Sequence, residues 1–214
     1  IPCVQTFLRE YPLDVMAEGD IYILNDPYLG GTHLPDIALM TPVFHGGRVI
    51  ALSATMTHHQ DVGGMTPGSI PTNATEIFQE GIRIPPLKLR DAGVMNETLV
   101  KMLRQNVRVP DMFMGDLNAQ IAGCQIGSRR LAQLADATGV EQLESIFAEL
   151  LVRSEAMTRD ALRSIPSGTY RYVDYLDNDG IELDRRVRIE VAVTIDEGPM
   201  HVDFTGTGGQ LKGQ

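Results

Sequence analysis

Cysteine, long apolar runs and clustered positive charge are all scarce in this chain, and each shortage removes a class of protein. Cys3 and Cys124 are the only cysteines in 214 residues. Two isolated thiols make no disulfide framework, so a reducing, cytoplasmic setting is the default. No stretch approaches the ~18 consecutive apolar residues that span a bilayer. Eighteen Lys and Arg stand against 28 Asp and Glu, for a formal net charge of −10. With no basic cluster to override it, that balance argues against a nucleic-acid surface. The chain has no G-x-x-x-x-G-K-[ST], hence no Walker-type ATP site of its own, and no G-x-S-x-G elbow. Neither cysteine sits in a context that marks a nucleophile. Internal repeats and low-complexity tracts are absent too. The start, Ile1-Pro2-Cys3, carries no Met and no signal-peptide pattern, and the end follows closely on a strand-like segment. We read the chain as an excised part of a longer protein, the alternative being a small protein with trimmed termini.

What is present is the composition of a soluble globular chain, 43% hydrophobic and 21% charged, long enough for one large domain or one and a half smaller ones. Residues 2–12 read as the end of a helix closed by Tyr11-Pro12, followed by a β-rich run at Asp20–Leu24 and an Asn25-Asp26-Pro27 turn. Ile37–Phe44 and Arg48–Thr57 read as two strands of a hairpin closed by His45-Gly46-Gly47. Residues 61–93 hold nine Gly or Pro and read as a long functional loop, with Asn73-Ala74-Thr75-Glu76 able to cap a short helix. Three helices follow. Asn96 caps Glu97–Arg108, which Pro110 ends; the second runs from about Asp111 to Ala137 and the third from about Val140 to Ser164. The last two are expected to pack as an antiparallel hairpin, aided by Ala119, Ala122, Gly123 and Gly127. Strands return at Thr169–Leu176, Arg185–Ile195 and His201–Thr205, with turns at Asp177-Asn178-Asp179-Gly180 and Asp196-Glu197-Gly198. The order predicts an α+β fold, in three regions: a metal-site β/loop region over 1–95, a helical region over 96–166, and the start of a further β region over 167–214.

Chemistry concentrates in two clusters. Four of the five histidines lie between residues 33 and 59, three of them in His33-Leu34-Pro35-Asp36 and His58-His59-Gln60-Asp61. The expected hairpin carries Asp36 at the start of its first strand and His58 at the end of its second, so distant residues meet at one end. Two imidazoles and a carboxylate suit Mn, Fe or Zn with open positions for water or substrate. The bland alternative is strand-end residues paired with local carboxylates. Adjacent strand residues face opposite sides, so only one of His58 and His59 should be a ligand. The other, with Asp26 or Asp61, could support the ligands from behind. Glu76 and Glu80 share a helix face by spacing, with Arg83 as a neutralising partner, and one could serve as an acid or base. Asp116 and Gln120 share a face of the second long helix and could line a pocket, although an ordinary helix surface is the favoured reading. Two glycosylation sequons, at Asn73 and Asn96, are taken as chance.

Beyond these residues, the run Gly19-Asp20-Ile21-Tyr22-Ile23-Leu24-Asn25-Asp26-Pro27-Tyr28-Leu29-Gly30-Gly31-Thr32-His33-Leu34-Pro35-Asp36 resembles the hydantoinase B/oxoprolinase family. The likeness continues through His58-His59-Gln60-Asp61-Val62-Gly63-Gly64, Ala74-Thr75-Glu76-Ile77-Phe78-Gln79-Glu80-Gly81, Asn106-Val107-Arg108, Gly115-Asp116-Leu117-Asn118-Ala119-Gln120 and Asp203-Phe204-Thr205-Gly206-Thr207. It covers essentially the whole chain. The resemblance implies a subunit of an ATP-dependent hydrolase acting on cyclic amides. A hydantoinase A-like partner in a hetero-oligomer would bind ATP and phosphorylate a lactam or imide carbonyl. Related acetone and acetophenone carboxylase subunits suggest activated-ketone carboxylation as an alternative, and a non-catalytic docking fragment is a third possibility. By resemblance to the acetone carboxylase subunit, a manganese ion would sit on His33, Asp36 and His58. Asp26, His59, Glu76 and Asp116 then stand as candidates for catalytic roles.

Overall fold

Successive residues of a strand face opposite ways, and here both faces are apolar. Ile21 and Ile23 of β1 (Ile21–Leu24) and Ile37 and Leu39 of β2 (Asp36–His45) join one core cluster, while Tyr22, Leu24, Ala38 and Met40 join another. Strands that read as continuous hydrophobic runs are those covered on both sides. The first cluster lies under α2 (Glu97–Asn106) and α3 (Pro110–Thr138), supplying Leu99, Leu103, Phe113, Leu117, Ile121 and Cys124. The second lies under α1 (Pro2–Glu10), through Cys3 and Phe7.

The structure, a computed structural model, describes residues 2–196 and 199–213. It divides into two compact units, Ile1–Pro71 with Glu76–Val140 and Thr72–Thr75 with Glu141–Gln214. The first holds an antiparallel sheet of order β3-β2-β1-β4-β5, where β3 is Arg48–His58, β4 Leu87–Asp91 and β5 Val94–Met95. The second holds α4 (Val140–Arg163 but for its first residue) and a sheet β6-β7-β8 of Gly168–Leu176, Val187–Ile195 and Met200–Asp203. The architecture is α+β. Among the described residues no helix is long and apolar enough to cross a membrane.

Several local expectations change. Pro110 opens α3 instead of closing α2, since a proline at the first helical position forfeits an N–H that has no helical partner anyway. Residues 61–93 are not all loop: β4 lies within them, made recognisable only by its pairing with β1. Leu87 and Leu89 alternate with Lys88 and Arg90, but five residues between Pro86 and the Ala92-Gly93 turn carry too little pattern to read alone. Glu76 and Glu80 flank a single 3-10 turn, Ile77–Gln79, so they share no helix face, and the Glu76 side chain makes no cap bond. The apolar face of α3 packs on β2 and β3. A Cβ on Gly123 would meet Thr55 and one on Gly127 would meet Ser53, so these small residues let α3 approach the sheet. The turn expected at Asp196-Glu197-Gly198 includes Glu197 and Gly198, which lie outside the described residues.

Asp20 anchors the start of β1. Its fully buried carboxylate accepts bonds from the N–H groups of Ala17 and Ala92 and the Tyr22 hydroxyl, and pairs with Lys88 at 2.9 Å. Burial alone raises its pKa, but these bonds outweigh it and hold the carboxyl below its ordinary value. Asp61 is held low in the same way, burial being overcome by Arg108 and the loop amides. The sign follows directly. Groups depressed in the folded state contribute stability above the unfolded pKa of ~3.9 and lose it as pH falls through their folded values. Thermal midpoints measured between pH 7 and 2 are expected to hold steady and then fall below pH ~4, with a shallower fall in Asp20→Asn. An unchanged acid slope in that variant would remove Asp20 from the account.

Candidate metal centre

The site is built by hairpin register. β2 and β3 pair so that Asp36 stands directly opposite His58. His33 arrives from the loop before β2, where the Asp36 N–H donates to the His33 carbonyl at 3.0 Å and folds Leu34-Pro35 into a tight turn. The Asp36 carboxylate then lies between two imidazoles: His33 Nδ1 is 2.9 Å from one oxygen and His58 Nδ1 is 3.2 Å from the other. The rings stack with centroids 4.9 Å apart. Asp36 is mostly covered, whereas both histidines reach solvent.

The loop carrying His33 is fixed from behind by Asn25, which is fully buried. Its amide donates to the carbonyls of Leu34 and Ile82, and its oxygen accepts from the Ile84 N–H at 2.7 Å. Sequence reading took Asn25 only as a turn residue. Its burial gives that side chain three backbone partners and joins the 25–36 and 82–84 segments. Gly30 is equally constrained. It has φ +109°, and a Cβ there would come within 2.6 Å of the Pro2 backbone. Gly30→Ala is therefore expected to destabilise by more than the ~1 kcal/mol of ordinary glycine replacement, read as a lowered thermal midpoint. An unchanged midpoint would mean the loop repacks freely.

The three residues suit a divalent ion by their donors and their convergence. One ligand atom from each of His33, Asp36 and His58 lies within 4.8 Å of the others, slightly beyond the ~4.2 Å that two ligands about 2.1 Å from one ion can span. His33 Nδ1 is buried without a hydrogen bond of good geometry, despite its closeness to Asp36. A buried nitrogen lacking such a bond beside a shared carboxylate is what a cation would satisfy. Two nitrogens and one oxygen leave positions for further ligands.

The model of the Hydantoinase B/oxoprolinase family matches residues 1–214. This chain belongs to that family. The caprolactamase subunit beta of Pseudomonas jessenii is 36% identical over 167 residues, 78% of this chain and 29% of that protein. The 5-oxoprolinase 1 of Arabidopsis thaliana is 31% identical over 224 residues, 92% of this chain and 17% of that protein. The crystal structure of the ATP-dependent caprolactamase from Pseudomonas jessenii matches with a TM-score of 0.85 at 34% identity, over 94% of this chain and 34% of that one. The chain thus spans about a third or less of the length of these relatives.

In this hydantoinase B/oxoprolinase chain the other candidates scatter. His59 follows β3 and turns to the opposite side from His58, fully buried against Phe113. Burial pushes its imidazole below the ordinary range, against opposing pulls from the Gln120 bond and the nearby Asp116 carboxylate. Asp116 is half-buried one turn before Gln120 on α3. Gln120, read from the sequence as helix surface, is buried and hydrogen-bonded to His59 at 2.8 Å. Asp26 caps the Pro27–Leu29 turn by accepting from the Tyr28 N–H, and its other oxygen holds Arg83 at 2.7 Å. Arg83 therefore pairs with Asp26, where the sequence reading had paired it with Glu76 and Glu80. Glu76 is exposed. Asp61 closes the 61–69 loop onto Arg108 instead of supporting a ligand from behind. Both cysteines are buried free thiols whose pKa burial raises, as an inert thiol requires.

A depression of ≈ 560 Å³ runs along α4, lined by Leu150, Arg153, Ser154, Met157, Thr158 and Ala161. All six belong to one helix and include a single charged group.

Proposed function

We propose that this chain supplies the metal-holding part of an ATP-dependent amidohydrolase of hydantoinase/oxoprolinase type. His33, Asp36 and His58 would hold a divalent ion, Mn, Zn or Fe, in a cytoplasmic hetero-oligomer with a hydantoinase A-like subunit that binds ATP. The observation that carries the reading is the convergence of those three ligand atoms within 4.8 Å. Family membership and the named activities of the caprolactamase and 5-oxoprolinase relatives support the reaction class.

The reaction divides between the subunits. The partner would transfer a phosphoryl group from ATP to the lactam carbonyl oxygen. Water then adds at that carbon, the ring C–N bond breaks as the nitrogen takes a proton and leaves, and a second water releases inorganic phosphate from the resulting acyl phosphate, giving an amino acid or ureido acid. A divalent ion supplies a Lewis acid that makes water nucleophilic near neutral pH. This chain's part is positional. Asp36 orients both imidazoles, Asn25 fixes the loop that presents His33, and the β2–β3 register brings His58 opposite Asp36. His59 and Asp116, on the α3 side, would tune the strand end, and we assign no step to Asp26 or Glu76.

The test is elemental analysis of the purified 214-residue chain after incubation with Mn or Zn and dialysis, followed by ATP-dependent lactam hydrolysis with an A-type partner. Near-stoichiometric metal, lost in His33→Ala, is expected. No bound ion in the wild-type chain would sink the metal assignment. Turnover of a ketone with bicarbonate in place of a lactam would move the reading to the carboxylases.

A further inference from the structure

We infer that Gln120 is a positioning residue for the metal centre, acting from α3 through a single carboxamide on both strand ends that carry ligands. The inference rests on the metal reading above. Gln120 is 4% exposed. Its Nε2 donates to the Ile37 carbonyl at 2.9 Å and more weakly to Thr55 Oγ1 at 3.5 Å. The Ile37 carbonyl can only accept, so the amide orientation is set and Oε1 faces His59 Nε2 at 2.8 Å. His59 must therefore donate from Nε2.

The two main partners are the immediate neighbours of two ligands. Ile37 follows Asp36, and His59 follows His58. A backbone bond from the His59 N–H to the Pro35 carbonyl at 2.8 Å ties the same ends together on the loop side. Gln120 thus fixes the spacing of Asp36 and His58 from beneath, without touching either. A buried, fully bonded carboxamide also leaves little freedom for the register to slip, since a shift by one residue would strand the Ile37 carbonyl.

One turn further along α3, Cys124 offers an internal control. It is equally buried and contacts Thr55 Oγ1 and the Leu39 carbonyl, farther from the ligands. Gln120→Met keeps side-chain volume and removes the hydrogen bonds. Cys124→Ala disturbs the same helix–sheet contact and leaves the strand ends alone.

Titration of the 214-residue chain with MnCl2 and with ZnCl2, read by calorimetry, decides the matter, with the Co(II) absorption spectrum as a probe of ligand geometry. Gln120→Met is expected to weaken Mn or Zn binding about tenfold, the lower end of what loss of a supporting partner costs, and to alter the Co(II) spectrum. Cys124→Ala should lower the thermal midpoint while leaving affinity and spectrum unchanged. Gln120→Asn, which shortens the carboxamide by one methylene, should reproduce the weakening if Gln120→Met aggregates. Equal affinity in wild type and the Gln120 variants, or equal weakening in Cys124→Ala, would overturn the inference while leaving the metal site intact. A wild-type chain that binds neither ion overturns both.

Discussion

Asp36→Asn is expected to lose metal affinity by more than the roughly 10–100-fold that follows loss of an outer partner. The carboxylate is adjacent to both imidazoles, through different oxygens. An amide of the same shape cannot supply the negative charge that offsets a dication, and its NH2 would point a donor at one histidine nitrogen. The folded state should be little affected, because Asp36 makes its structural contribution through backbone pairing with β3. The measurement is Mn and Zn affinity by calorimetry beside a thermal melt without metal. Retained affinity would show that the ion is held elsewhere.

Asp61→Ala is the variant with the largest expected effect on stability. Asp61 is 4% exposed. It accepts from the N–H groups of Gly63, Gly68 and Arg108 and from the Arg108 guanidinium at 3.0 Å. The same guanidinium donates onward to the carbonyls of Gly63, Gly64 and Thr66. Removing the carboxylate leaves several buried donors without an acceptor and a partly buried cation without its counter-charge, at a cost of about 3 kcal/mol. That corresponds to roughly 10 °C in the melting of the first unit. Amide exchange should accelerate most at Gly63, Gly68 and Arg108. A midpoint within 1 °C of wild type would show that the latch contributes nothing.

Much of the site was readable because it is local to one hairpin. Two apolar strands at 37–44 and 48–57, each with a side-chain period of two, and His45-Gly46-Gly47 between them read as a hairpin, whose register places Asp36 against His58. The opposite facing of His58 and His59 follows from the same period of two. Other residues were misread because their partners lie far off. Gln120 looked like surface because helical periodicity says which residues share a face but not which face meets a sheet. Arg83 was matched with the nearest carboxylates in sequence, Glu76 and Glu80, while the fold gave it Asp26 across 57 residues. Asp61 sits beside two histidines in sequence, yet its oxygens are taken by Arg108 and loop amides.

By itself the sequence determined the family, the α+β element order and the hairpin that gathers His33, Asp36 and His58, because family motifs, period and turn chemistry act over a few residues at a time. Only the tertiary structure decided which polar groups support that hairpin and latch the 61–69 loop. Asn25, Arg108 and Gln120 each satisfy partners 45 or more positions away, and a buried donor or acceptor takes whatever partner the packed chain brings within reach.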